Sequence, residues 1–273
     1  GVINLAYGEF MMVGAYTTFV VQNLFKNTPL SEAYIFFALI AAFIVTALLG
    51  ILLERSVVRY LYGRPLETLL ATWGVSLIMQ QFVRSVSWQL VAGLLVFCGL
   101  FFGAWWVLSK RPNFYRIRNW VLTGAFLLST IVAVVFASIL GQVFKLAVTK
   151  PWFGTQGVDV TAPRWMRGGI PMGTYQLPST RLFIIILTVL CVLGVYWFLN
   201  KTAWGLRIRA VTQNRNMSAC LGIPTKTVDA LTFAIGSGLA GVAGVAVSLL
   251  GSVSSNTGQA YIVDAFMVVV VGG

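Results

Sequence analysis

Seven stretches without a charged residue, at 10–25, 33–53, 68–83, 85–109, 119–144, 182–200 and 230–263, run through this chain, and an eighth opens after Asp264. A helix needs roughly 20 apolar residues to cross the hydrocarbon core of a bilayer. Inside that core every backbone N–H and C=O must find its partner within the segment. Runs of this length and spacing therefore predict a bundle of membrane helices. The 68–83 run is short, but it extends toward Trp88 if Arg84 snorkels to the interface. The 230–263 run is too long for one helix, and its part GSVSSNTGQAY is loop-like, so the helix is expected to end near Leu250. Of 273 residues, 58% are hydrophobic and 10% charged, where a soluble domain carries about 25% charged residues. No polar stretch is long enough for a second, soluble domain. The fold expected is all-α: one polytopic integral membrane domain over residues 1–273, with about eight transmembrane helices. Gly1 and Gly273 both lie in apolar runs, so the first and last helices read as incomplete and the chain as a fragment. No charged segment followed by a short apolar core reads as a signal peptide.

The net charge of +12 would suggest nucleic acid in a soluble protein. Here the 19 Lys and Arg are scattered between apolar runs, where they set topology. With loops 54–67, 109–118 and 201–230 inside, the inner loops hold 12 of them and the outer loops 7. None is then stranded in mid-bilayer, and every span alternates. There is no histidine, which removes His-based acid/base catalysis and His metal ligands. Cys98, Cys191 and Cys220 lie too far apart to suggest a disulfide framework or a zinc site. Few acids remain to build a catalytic set, so an integral membrane enzyme is disfavoured. No cofactor and no metal is expected on this chain.

The segment RIRAVTQNRNMSACLGIPTK, 207–226, is the polar exception, and it falls on the inner side. Residues Ala210 to Leu221 read as one short helix, with Ala210, Met217 and Leu221 on a stripe that Asn214 interrupts. Gly222 sits where a left-handed cap belongs and Pro224 follows. On pattern alone this is either a connector on the membrane surface, its Arg207, Arg209 and Arg215 touching lipid phosphates, or a docking element. Two N-x-S/T matches, at Asn200 and Asn216, fall in the same inner loop and are discounted.

The blocks RAVTQNRNMSACLGI, GVINLAYGEFMMVGAYTT at the start, LLATWGVSLIMQQ at 69–81 and TGQAYIVDAFMVVVVGG at 257–273 resemble the permeases of bacterial ABC importers that move branched-chain amino acids and urea. ATWGVSL, RAVTQNR, VDALTFAIGSGLAGVAGV and YIVDAFMVVVVGG make the urea-type permease the nearest likeness. The resemblance implies a multi-pass permease of the bacterial inner membrane, probed by four kinds of partner: cytoplasmic ATPase subunits, a second permease subunit, a periplasmic or extracellular solute-binding protein, and lipid. It implies that the inner segment is a coupling loop seated in a cleft of the ATPase, through Arg207, Arg209, Asn214, Arg215, Met217, Leu221 and Gly222. ATP would be used by that partner, because the chain has no G-x-x-x-x-G-K-[ST] phosphate loop. Urea is the lead solute and branched-chain amino acids the alternative. A stand-alone channel or secondary transporter would need no coupling loop.

GSGLAG, Gly236 to Gly241, matches the dinucleotide pattern G-x-G-x-x-G, but that pattern needs a strand before it and a soluble βαβ unit around it. Gly236, Ala240, Gly244 and Ser248 instead repeat every four residues, with Ser237 and Gly241 widening the face. Such a face lets helices approach closely in lipid, against a partner permease on this reading. Ionisable groups inside spans are costly and face a cavity or a partner. That singles out Glu9 and Asp264, whose blocks lie near the transport path in the resembled permeases, whereas Asp229 is expected to cap the helix that follows it. Asn4, Thr72, Gln80 and Gln81 add donors and acceptors at membrane depth, as a solute stripped of water requires. Trp105, Trp106, Trp152 and Trp165 read as interface residues. The chain departs from the resembled pattern at 85–144, an inserted pair of helices around the turn KRPNFYRIR; it has no acid in its spans, its amides Gln89, Asn119 and Gln142 stand near the span ends, and a peripheral place is expected. Segment 152–170 reads as an outer rim for the solute-binding protein.

Overall fold

The computed structural model describes residues 4–26, 31–109, 114–143, 152, 157–172 and 175–272. Long helices stand at all eight expected places: α1 (Tyr7–Phe25), α2 (Tyr34–Ser56), α3 (Pro65–Ser85), α4 (Trp88–Ser109), α5 (Phe114–Val143), α6 (Ser179–Lys201), α9 (Thr225–Ser248) and α10 (Gln259–Gly272). Between α6 and α9 lie the short α7 (Ala203–Gln213) and α8 (Arg215–Cys220). Three of the described helices, α2, α6 and α9, are by themselves long and apolar enough to cross a membrane. Glu9 and several polar residues dilute α1, and α10 has 14 residues, so length and composition alone qualify fewer spans than the eight expected. The outer segment is not all loop: β1 (Gly169–Met172) and β2 (Tyr175–Pro178) form an antiparallel ribbon, with Gly169 opposite Pro178 and Met172 opposite Tyr175.

The chain divides into two compact units, one of residues 1–80 and 156–273, the other Gln81–Thr155. In the second unit α4 and α5 pack antiparallel. Phe97 and Phe101 meet Phe126 edge to face, with ring centroids 5.6 and 6.2 Å apart, while Gly93 lies against Ala137. The side chains of Trp105, Trp106 and Gln142 lie outside the described residues.

The first unit is built around α9, which is enclosed by α1 and α2. Here the small residues of α9 find their partners. Gly241 abuts both Gly14 of α1 and Thr46 of α2, and a Cβ on Gly14 would stand 2.6 Å from the Gly241 Cα. Gly244 lies on the Met11 backbone, and a Cβ at Gly236 would stand 3.2 Å from the Tyr7 hydroxyl. Ala240 packs beside the buried Phe10 and Phe233. The ladder Gly236, Ala240, Gly241, Gly244 is thus filled by α1 and α2 of the same chain rather than by a second permease. A Cβ at Gly14, Gly241 or Gly244 would run into a neighbouring backbone, whereas at Gly236 it would press only on the end of the Tyr7 side chain, so it is the first three that let the helices sit this close. The helix ends at Ser248, two residues short of the expected Leu250.

At the outer ends of α1 and α2, the segment after Gly157 is tied down by polar bonds. The Tyr34 hydroxyl donates to the Thr161 carbonyl at 2.7 Å, the Arg164 guanidinium pairs with Glu32, and the Trp165 indole N–H donates to the Glu32 carbonyl at 3.0 Å. Trp165 also stacks on Phe36, so it anchors this segment. Val158 and Val253 exchange both backbone bonds at 2.8 Å, which fixes the turn between α9 and α10.

Candidate translocation path and coupling segment

Thr72, Ser76 and Gln80 are four residues apart on α3, so they share one face of that helix. That face meets the start of α1. Glu9 is wholly buried there, and its Oε1 accepts from the Ser76 hydroxyl at 2.8 Å and the Gln80 amide at 2.6 Å. Gln80 in turn accepts from Gln259 of α10 at 3.4 Å. Thr72 accepts the Leu5 N–H at 3.2 Å, and Asn4 accepts the Ala6 N–H at 2.9 Å, which shapes the entry into α1. The close crossing of Gly8 and Gly258 brings α10 to this point. Among the described residues, Glu9 Oε2 and Asn4 Nδ2, both buried, have no protein partner. A buried polar atom left unpaired costs free energy, and such costs concentrate where a ligand or water completes the set. Glu9 forms no ion pair among the described residues, so the cluster is one of neutral donors around a single carboxyl.

Four of the residues expected on a path, Asn4, Glu9, Thr72 and Gln80, therefore come together with Ser76 and Gln259. Gln81 and Asp264 do not: both are exposed. For Gln81 the reason is helical phase, because the residue after Gln80 is turned about 100° around the axis. Asp264 stands five residues beyond Gln259 on α10 and projects from the surface of this chain.

The inner segment is two helices, not one. Asn214 breaks the expected helix: its own backbone is extended, and its side chain accepts the Met217 N–H at 3.0 Å as the cap of α8. Asn competes well for this role because its short side-chain oxygen reaches the first free amides of a helix. The α8 helix ends as expected. Gly222 has φ +80°, the Ile223 N–H returns to the Ser218 carbonyl at 3.1 Å and the Gly222 N–H to Ala219 at 3.1 Å, the double bond pattern of a left-handed glycine cap. Gly205 lets α7 press on the last carbonyls of α6, while Ile208 and Val211 bury against Val228. The outward face keeps Leu206, Met217 and Leu221 at 62%, 61% and 75% exposure. Arg207 lies over the Trp204 ring, 4.8 Å from its centroid, and Arg209 reaches Asn200 at 3.3 Å. Arg215 turns inward instead and pairs with Asp229 at 2.6 Å. Asp229, expected as a helix cap, lies inside the first turns of α9, and no side chain caps that helix.

Among the described residues no three His, Cys, Asp or Glu side chains gather as a metal site would require. The profile of the family described as branched-chain amino acid transport system / permease component matches residues 1–95 and 74–273, together the whole chain. The high-affinity branched-chain amino acid transport system permease protein BraD of Pseudomonas aeruginosa is 25% identical over 277 residues, covering 100% of this chain and 70% of its own length. The corresponding permease protein LivH of Salmonella typhimurium is 23% identical with the same coverage. The autoinducer 2 import system permease protein LsrC of Salmonella paratyphi B is 30% identical over 161 residues, 55% of this chain and 46% of its own. No solved structure matches.

Proposed function

The chain belongs to the branched-chain amino acid transport system permease components, and from that premise we propose that it carries urea inward as one half of a permease pair. As a member it is a permease subunit of an ABC importer, a multi-pass protein of the inner membrane and not an enzyme. ATP is used by a separate cytoplasmic subunit, and this chain itself needs no cofactor on the proposed reading.

The observation that carries the substrate reading is the Glu9–Ser76–Gln80 cluster with its unused Glu9 Oε2. Urea is neutral and offers four N–H donors and one carbonyl acceptor. A carboxyl flanked by a hydroxyl and an amide can replace the hydrogen bonds that urea leaves behind in water. A branched-chain amino acid is a zwitterion, and its carboxylate wants a cation that this cluster does not supply. The second reading, a branched-chain amino acid, is favoured by the names of the full-length-matched relatives; Glu9 would then take the ammonium group.

On the inner side, Leu206, Met217 and Leu221 form the apolar anchor and Arg207 and Arg209 the polar rim by which α7 and α8 seat in the ATPase subunit, an arrangement suited to a docked helix pair. The segment 152–170, of which 153–156 lie outside the described residues, receives the solute-binding protein outside. The docking is tested by Met217→Glu with Leu221→Glu. The double variant is expected to insert normally yet to lose co-purification of the ATPase subunit by about tenfold or more, because two charges would be buried without partners. Undiminished co-purification would remove α8 from the interface.

A further inference from the structure

A chain of charges runs behind the docking face. Glu54, at the inner end of α2, is wholly buried and accepts from Arg59 at 3.2 and 3.4 Å. Arg59 belongs to the single turn Val58–Leu61 that leads to Tyr62. The Tyr62 ring lies 4.5 Å beneath the Arg215 guanidinium, which binds Asp229 of α9. Burial, reinforced by the Asp229 charge, holds the Tyr62 phenol above its ordinary pKa, so the ring under the cation stays neutral. A cavity of about 340 Å³ opens beside these groups, with Tyr7 of α1 and Phe233 of α9 in its lining. Tyr7 is two residues from Glu9.

We propose that Arg215, held between Asp229 and the Tyr62 ring, is the tie through which displacement of α8 reaches α9 and the α2–α3 turn. This rests on the reading of α7 and α8 as the ATPase-docking segment, and it names the positioning residues that make docking consequential. Among the described residues Arg215–Asp229 is the one ion pair joining α8 to α9. The other polar bonds of α8, the Asn214 cap and the Gly222 closure, are local to the segment and its link to α9. A fully exposed pair would be a weak tie. This one is short and charge-assisted, its acid is only 12% exposed, and an aromatic face carries the cation. Letting go of it would leave a mostly buried carboxylate unpaired, so α8 and α9 favour moving as one body. The pull then arrives on the helix whose glycine face holds α1, and α1 carries Glu9.

The test uses the complete complex in proteoliposomes, with the ratio of labelled urea or labelled leucine taken up per ATP hydrolysed as readout. Asp229→Asn is expected to keep the ATPase subunit bound and hydrolysing while uptake per ATP falls about tenfold, within the usual span of coupling between two sites. The exchange Arg215→Asp with Asp229→Arg is expected to restore most of that ratio, which a change that merely loosened the fold would not do. Should Asp229→Asn fail to insert, Tyr62→Leu removes the seat of the cation without touching a charge, and a several-fold fall is expected. Normal uptake per ATP in Asp229→Asn, or in Tyr62→Leu where that variant is used, overturns the tie. So does loss of the ATPase subunit from either, which would make these groups part of the docking surface. A wild-type complex that moves neither solute overturns the transport reading itself, and the tie with it.

Discussion

Helices α6 and α9 have 23 and 24 residues and both are apolar enough to span, yet half of the apolar window of α9 is buried and none of that of α6. Greater hydropathy does not account for the burial of α9, since α6 is the more apolar of the two. Side-chain size does. From Ala230 to Ser248 the helix α9 brings glycine, alanine or serine round on every turn, and α1 and α2 close on it. The α6 sequence, FIIILTVLCVLGVYWFL, holds one glycine, and nothing lies within 4 Å of a Cβ built on Gly194. Apolar length tells a helix that it belongs in lipid. Small residues tell it which helices to touch, because burial against lipid or protein is nearly equivalent for a leucine but backbone approach is open only to small side chains.

The contrast can be broken at three points. Gly241→Leu is expected to cost about 3 kcal/mol, because the new side chain must displace both Gly14 and Thr46. The measurement is the thermal unfolding midpoint of the purified chain in detergent. Ser237→Ala should cost under about 1 kcal/mol, since its hydroxyl bonds to Phe233 and Ala234 of its own helix. Gly194→Leu on α6 should stay within about 0.5 kcal/mol of wild type. If Gly194→Leu proved as damaging as Gly241→Leu, small-residue packing would not be what distinguishes the two helices.

The same physics sets what could be read from sequence. The eight helices were legible as uncharged runs because the bilayer imposes a minimum length, and the α9 face was legible as a period of four. Its occupant was not, because a small-residue face records that something approaches and not what. Glu9 and Gln80 were legible as costly groups within apolar helices. Ser76 went unnoticed, although the spacing Thr72, Ser76, Gln80 marks one face, because serine in a membrane helix usually satisfies itself on its own backbone. Gln259 was hidden in what read as a loop. Gln81 and Asp264 were grouped with the cluster, from which the structure sets them apart, because polarity was weighed without helical phase. Met217 and Leu221 were readable from the apolar stripe and Gly222 from the cap chemistry, whereas the break at Asn214 was missed: asparagine can interrupt an apolar stripe within one helix or start a new helix. The inward turn of Arg215 depends on Asp229 and Tyr62, distant in sequence, and no local pattern announces it. The family profile makes the chain a permease component, while the relatives' names point to amino acids and the reading proposed above is urea.

That divergence sets the most direct measurement. ATP-driven uptake of labelled urea would be followed in proteoliposomes holding the complete complex and its solute-binding protein, with and without excess leucine. Uptake that requires ATP and is untouched by leucine is the predicted result, and it would support the assignment of a neutral solute. Leucine transport without urea transport would contradict the substrate assignment, and no ATP-dependent uptake of either solute would contradict the account as a whole.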